Sequence, residues 1–380
     1  MTLSKRTLII GGSLVAILIV LFFTVFTIIA NQYKPIKTVE AFNEAVENND
    51  TETLKQLMKP DEKDAEINKE SLSAFSKYLQ ANNESYQVIK DGFEKQIEDD
   101  DFESSNLQVS LIKDGKKMGI FPNYKMKVNT VHLKVKGNED RDKVSLAIVD
   151  SDDSINQADE EEAIYGPIIP GEYNIEATVT NDLGKFTNEE KIDAWGDADV
   201  SFVVDSEKMA RQDKGIQKSL IDAGNQFNED MSVYVTSNFE ADKFTNISDE
   251  LKDNLFFYDA GLEIPEDYVE KIESQFLKAI VNMDEIDLTY FDGEWNAEVT
   301  MLVFYDEKIT FTENKEVEDL SYVELRDFSL IFDQDKKQWI IEDVMGENTD
   351  KSEVEDWEDK EEIKIKDPPL RKWTKDDSYL

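Results

Sequence analysis

The sequence predicts a multidomain α+β protein carried on an N-terminal transmembrane helix. Three observations lead there. Residues 7–30 form an apolar run without a charge. The region after it carries apolar residues at helical spacing, then gives way to alternating segments punctuated by Gly, Pro and Asn. The last third sets helical patterns ahead of a series of strands, the order expected when helices pack on an antiparallel sheet. With 380 residues, 40% of them hydrophobic, the chain has material for two or three cores.

The apolar run comes first. A helix rising about 1.5 Å per residue needs roughly 20 residues to cross a hydrocarbon core of about 30 Å, and residues 7–30 exceed that. Only a helix satisfies the backbone of a lone segment in lipid. The run is longer than the apolar region of a signal peptide, about 7–15 residues, and Ile28-Ile29-Ala30 is a poor cleavage site. An uncleaved anchor is therefore expected, with the lipid bilayer as partner of residues 7–30. Lys5 and Arg6 favour a cytoplasmic N-terminal tail, residues 1–6, and Lys34 and Lys37 beyond the run weaken the asymmetry. The expected localisation is the cell membrane, single-pass, with the body extracytoplasmic.

Charge and composition then remove whole classes of function. There are 84 acidic against 42 basic residues, a formal net charge of -42, which repels nucleic acid. The chain has no cysteine, so disulfides, zinc ribbons and thiol catalysis are excluded. Its one histidine, His132, rules out a two-histidine zinc site.

The body divides into four expected parts. A helical module covers 38–106, with a pattern over 38–58 broken at Asn48-Asn49-Asp50, where Asp50 is placed to cap the next helix, and further segments over 71–81 and 85–97. A β-rich module covers 107–206, with strands expected at 107–112, 125–135, 143–149, 173–180 and 200–204. Val131, Leu133 and Val135 alternate with His132 and Lys134, which puts His132 on a polar face as a solvated strand residue. An α+β domain covers 208–346: helices at 210–233 and 265–277, then strands at 286–291, 297–304, 322–332 and 338–344. Residues 347–380 lack apolar periodicity and predict an acidic flexible tail, whose Trp357, Trp373 and Tyr379 offer docking groups.

Two stretches of the middle region carry a family pattern: Lys113-Asp114-Gly115-Lys116-Lys117-Met118-Gly119-Ile120-Phe121-Pro122-Asn123-Tyr124-Lys125, and Tyr165-Gly166-Pro167-Ile168-Ile169-Pro170-Gly171-Glu172-Tyr173. With the anchor and Phe42-Asn43-Glu44-Ala45-Val46, the chain resembles the TcaA/YvbJ-type membrane proteins of Gram-positive bacteria, which include the teicoplanin-resistance-associated protein. The resemblance implies a C-terminal NTF2-like domain and a role in the cell envelope and its response to wall-directed antibiotics. Many such proteins begin with a cytoplasmic zinc ribbon, for which this sequence supplies no cysteine. On physical grounds Gly115 and Gly119 permit tight turns around a basic loop. Pro170-Gly171 suits the centre of a type II turn, with Gly166-Pro167 as an exposed entry to it.

The sequence singles out no catalytic, cofactor or metal residue. Asp150-Ser151-Asp152-Asp153-Ser154 begins like a calcium loop, but Ile155 stands where glycine is required, leaving only adventitious divalent cations. Ser110-Leu111-Ile112-Lys113 matches S-x-x-K in a strand-like setting without its companion motifs. An NTF2-like pocket would draw its polar lining from Asp287, Tyr290, Asp292, Tyr305 and Asp306. The expected function is a membrane-anchored, non-enzymatic extracytoplasmic protein that binds or scaffolds cell-wall glycan or envelope proteins. The alternatives are an enzyme in the NTF2-like pocket and an envelope-stress sensor acting through a partner membrane protein.

Overall fold

The computed structural model describes residues 5–103, 106–149, 151, 154–255 and 268–375; in the first helix the described side chains begin at Leu18, Ile19 excepted. The chain forms two compact units: Met1–Asn138, Lys143–Val179 and Thr187–Val204 in one, Glu139–Asp142, Thr180–Phe186 and Asp205–Leu380 in the other.

The first unit opens with α1 (Lys5–Gln32), a continuous helix over the expected anchor. Of its described side chains, the large apolar ones from Val20 to Ile28, and Leu18 before them, are exposed. Among the described residues no helix is long and apolar enough to cross a membrane. Residues 1–4 of the expected tail lie outside the described residues, and of the expected span the side chains of residues 7–17 and 19 do.

Next come α2 (Pro35–Glu47), α3 (Thr51–Leu57), β1 (Met58–Pro60), α4 (Lys69–Ala81) and α5 (Asn83–Glu98). The break before α3 falls at the expected cap, where the Thr53 amide donates to Asp50 Oδ1 at 3.1 Å. Phe42, Phe75 and Phe93 fill the space between α2, α4 and α5, their rings meeting edge to face at 5.6–6.0 Å. β2 (Val109–Lys117) and β3 (Phe121–Val128) form a hairpin whose sheet, in the order β1-β3-β2, shares this core through Val109, Leu111, Met126 and Val128.

The expected strand over 125–135 is two strands. β3 ends at Val128, and β4 (Val131–Lys136) belongs to another sheet. Asn129 and Thr130 make the corner: Asn129 Nδ2 donates to the Leu107 carbonyl at 2.8 Å and the Thr130 amide to Asp61 Oδ1 at 2.8 Å. Such side-chain bonds offer the backbone an alternative to a continuous ladder.

The remaining strands are β5 (Lys143–Ile148), β6 (Ser154–Ile155), β7 (Gln157–Asp159), β8 (Ile164–Ile168), β9 (Gly171–Asn181), β10 (Gly184–Ala194) and β11 (Asp199–Val203). They form sheets ordered β10-β9-β5-β6 and β11-β4-β8-β7. Gly115 and Gly119 adopt positive φ as the turn chemistry requires. Gly171 does not: it starts β9, and a Cβ there would lie 2.7 Å from the Ala74 carbonyl carbon of α4. Its role is close backbone approach rather than a type II turn. Gly166 is likewise buried in β8 against Val131 and His132, not an exposed entry.

The second unit begins with α6 (Ser206–Gln212) and α7 (Lys214–Val235). The helix expected over 210–233 is split because Asp213 turns extended and caps α7, accepting from the Gly215 and Ile216 amides at 2.8 and 3.0 Å. After α8 (Asp249–Asn254) come β12 (Val269–Asn282), β13 (Asp287–Phe291), β14 (Glu294–Phe311), β15 (Val317–Asp319), β16 (Tyr322–Asp333) and β17 (Gln338–Asn348). The helix expected over 265–277 is thus a strand from Val269 on, and its first residues lie outside the described ones. β17 is buried on one side, through Trp339, Ile341 and Val344, rather than covered on both.

The expected flexible tail is structured as far as Thr374; Tyr379 lies outside the described residues. A 3-10 turn over Lys351–Asp356 precedes β18 (Lys360–Lys364) and β19 (Arg371–Thr374), and both strands pair antiparallel with β12. The sheet runs β17-β16-β14-β12-β18, with β13 and β15 on β14 and β19 on β12. Met301, Val303 and Tyr305 of β14 face the α7 core, while Leu302 and Phe304 are covered by Val354 and Trp357 from the tail. The tail therefore supplies the second layer over that strand.

Candidate functional site

Within the second unit, α7 lies across the sheet and encloses a cavity of about 350 Å³. Its apolar wall comes from Phe227, Met231, Tyr234 and Val235 of α7, Leu255, Leu320 and Val344. Its polar wall is carried by alternate residues of two paired strands, Glu307 on β14 and Tyr322, Glu324 and Arg326 on β16.

Arg326 is the centre. It is 4% exposed, yet sits on the strand face shared with the core residues Phe328 and Leu330. Its Nε donates to Glu324 Oε2 at 2.5 Å, and Nη1 to Asn228 Oδ1 at 2.6 Å and Tyr305 Oη at 3.1 Å. Nη2 reaches Tyr322 Oη at 3.3 Å. The Tyr305 ring lies under the guanidinium at 5.1 Å and stacks on Tyr322 at 4.9 Å. Burial works against the charge, and the oxygens of Tyr305, Tyr322 and Glu324 outweigh it, so the guanidinium titrates above its ordinary range. Burial pushes both phenols up.

Glu307 is the second buried ionisable group. Desolvation raises its carboxyl above the usual carboxylate range, against the opposing pull of the Ser274 hydroxyl and Arg326. Ser274 Oγ donates to Oε1 at 2.7 Å. Gly346 completes the wall by leaving space: a Cβ there would fall 2.4 Å from Glu324 Oε1.

Of the five residues expected to line such a pocket, only Tyr305 joins this cluster. Asp306 points away and pairs with Lys308 at 2.8 Å. Asp287 pairs with Arg211 at 2.6 Å, Tyr290 packs on Trp295 at 5.1 Å, and Asp292 sits at positive φ in the β13–β14 turn. Sequence reasoning missed Glu307, Glu324, Arg326 and Asn228. A signal existed: Tyr322, Glu324, Arg326, Phe328 and Leu330 share one parity, which places charges on a core-facing register.

Other candidates are separate. His132 is half-buried on β4 with Nε2 3.6 Å from Glu62 Oε1, and Lys134 beside it pairs with Glu162 at 2.7 Å, the polar face expected. Ser110 is buried on β2 with no hydrogen-bond partner for its hydroxyl, while Lys113 is exposed near Asp100. Asp150, Asp152 and Asp153 lie outside the described residues. Among the described residues no group of three His, Asp or Glu side chains is placed to hold a metal.

A helix laid across an antiparallel sheet with a cavity between them fits the second unit to an NTF2-like α+β domain. Residues 220–345 match the YvbJ NTF2-like domain family, and residues 35–128 match the TcaA protein second domain. The two domain matches, in this order, support the resemblance to the TcaA/YvbJ type. It is 28% identical over 201 residues to the "Uncharacterized membrane protein YvbJ" of Bacillus subtilis (strain 168), a match covering 53% of this chain and 31% of that protein. The chain thus spans about a third of that relative's length. No solved structure matches it.

Proposed function

We propose that the protein is a membrane-anchored, extracytoplasmic and non-enzymatic component of the cell envelope, binding a wall component or an envelope protein through its NTF2-like domain. The observation that carries this reading is the cavity beside α7, with an apolar wall and one convergent polar cluster, the usual construction of a ligand site. Arg326 is engaged by Glu324, Asn228, Tyr305 and Tyr322, which suits a rigid binding wall better than a reacting group. Anchoring through residues 7–30 draws on the uninterrupted α1, on its exposed apolar side chains and on the membrane-protein name of the relative. An effect on the response to wall-directed antibiotics follows if the bound component is a wall precursor.

One observation favours the enzymatic alternative: Glu307, a buried carboxyl with a raised pKa, has the character of a general acid. A single experiment separates the two. The full chain in lipid nanodiscs is incubated with disaccharide-pentapeptide wall fragments, and binding and turnover are both followed. Saturable binding without product, weakened at least tenfold by Met231→Trp, which fills the cavity, supports the binding reading. Product formation lost in Glu307→Gln overturns it.

A further inference from the structure

The β2–β3 hairpin carries the stretch Lys116-Lys117-Met118-Gly119-Ile120-Phe121 at its tip. Met118 and Ile120 are 74% and 64% exposed, in a turn where Gly119 adopts a φ of 76°. Exposed large apolar side chains side by side in a turn call for a partner surface. Around them the charge reverses sign: positions 113–125 hold Lys113, Lys116, Lys117 and Lys125 against Asp114 alone, in a chain of net charge -42.

The tip is also placed against α1. Phe121 stacks on Tyr33 at 5.0 Å and meets Phe26 at 5.3 Å, and Tyr33 Oη reaches Met118 Sδ at 3.7 Å. Lys117 Nζ lies 6.0 Å from the Tyr33 ring centre. Phe26 stands four residues inside the end of the apolar run, roughly 6 Å along a helix axis. A hairpin that touches both Phe26 and Tyr33 therefore sits at the depth where α1 leaves the hydrocarbon. Tyr33 is the aromatic type that favours this level.

We propose that this tip is a second membrane contact, in which Met118 and Ile120 enter the lipid interface while Lys116 and Lys117 meet anionic headgroups. The inference rests on the reading of α1 as an anchor. It adds that the first folded domain is held on the bilayer surface instead of swinging freely from one helix. The chemistry is that of peripheral anchors, apolar side chains flanked by lysines on an anionic leaflet.

The absence of cysteine makes the test direct, since each introduced thiol is unique. Full-length Met118→Cys, Val20→Cys and Val88→Cys are labelled with an environment-sensitive fluorophore and reconstituted in vesicles of phosphatidylcholine with and without phosphatidylglycerol. Quenching by bromine placed at shallow and deep acyl positions is then read. The proposal expects the Met118 label to be quenched by shallow bromine, at least twofold more strongly with phosphatidylglycerol, and that gain to disappear in Lys116→Glu/Lys117→Glu. The Val88 label, on α5, should stay unquenched. An unquenched Met118 label beside a Val20 label quenched by deep bromine overturns the tip contact and leaves the anchor standing. A Val20 label that deep bromine does not quench overturns the anchor, and this proposal with it. Equal Met118 quenching in both lipids overturns the role of the lysines.

Discussion

Arg326 of β16 donates to Asn228 Oδ1 of α7 at 2.6 Å, a buried bond that ties the helix to the sheet beside the cavity. The same guanidinium reaches Glu324, Tyr305 and Tyr322, so one side chain satisfies groups on three elements. Arg326→Met would leave the Glu324 carboxylate without its cation and Asn228 Oδ1 without its shortest donor. Breaking one partner of a buried ion pair costs about 3–5 kcal/mol. Hydrogen exchange of the α7 amides in the full chain should accelerate accordingly, and unchanged protection would disprove the tie.

Glu307 gives the domain a signed pH dependence. Its folded-state carboxyl titrates above the ordinary value of 4.5, first because it is buried. A raised carboxyl means the folded state holds its proton more tightly than the unfolded chain does. Stability is therefore greatest below the unfolded value and declines as pH rises through the folded one. Glu307→Gln keeps an acceptor for Ser274 and removes the buried charge. It should stabilise the domain at pH 8 by on the order of 1 kcal/mol and flatten the dependence. Protection of the β17 amides at pH 5 and pH 8 in the two proteins measures this.

Much of the architecture is legible where local pattern decides. Leu72, Phe75 and Leu79 recur at helical spacing and are all buried in α4, and Asp50 caps α3 as its position requires. β12 shows why the rest is not. Val269, Ile272, Phe276 and Ile280 imitate a helical stripe, because register shifts between Val269 and Lys271 and between Phe276 and Lys278 break the two-residue period. Only pairing with β14, some 30 residues on, makes the segment a strand. The tail is hidden for a related reason: β18 and β19 are short, charged and specified by an edge of β12 that local periodicity does not encode. The cavity is half legible. Tyr305 could be nominated by fold analogy, whereas Arg326 and Glu307 announce themselves only once the inward parity of β14 and β16 is known.

Gly171 tests close approach against turn geometry. Its φ is one that any residue can adopt, yet a Cβ would meet the Ala74 carbonyl carbon at 2.7 Å and the Phe75 nitrogen at 2.8 Å, both backbone atoms of α4. Backbone cannot rotate aside as a side-chain end does. Gly171→Ala should cost about 1–3 kcal/mol through displacement of α4. Exchange protection of the Lys69–Ala81 amides reads it, and a neutral result would overturn the close-approach role.

Trp373 decides whether the acidic tail is part of the domain. It is 6% exposed, packs on Val269 and Ile309, and pairs with Ile272 across the β12–β19 ladder. Its indole Nε1 is buried with no hydrogen-bond partner, so the contribution comes from apolar mass and not from a polar bond. Trp373→Ala should therefore release β19 at a cost of about 3 kcal/mol, while Trp373→Phe, which keeps most of the ring and removes the stranded N–H, should cost less than half of that. β18 has its own hold: the Glu362 carboxyl is drawn down to about 2 by Lys278 and then Lys364, with Lys278 Nζ 2.5 Å away. Limited trypsin digestion of the full chain at Arg371 and Lys372 distinguishes the outcomes. Rapid cleavage in the alanine variant, near-native resistance in the phenylalanine variant and an intact β18 in both are expected. Equal cleavage of all three proteins would mean that Trp373 does not hold the tail.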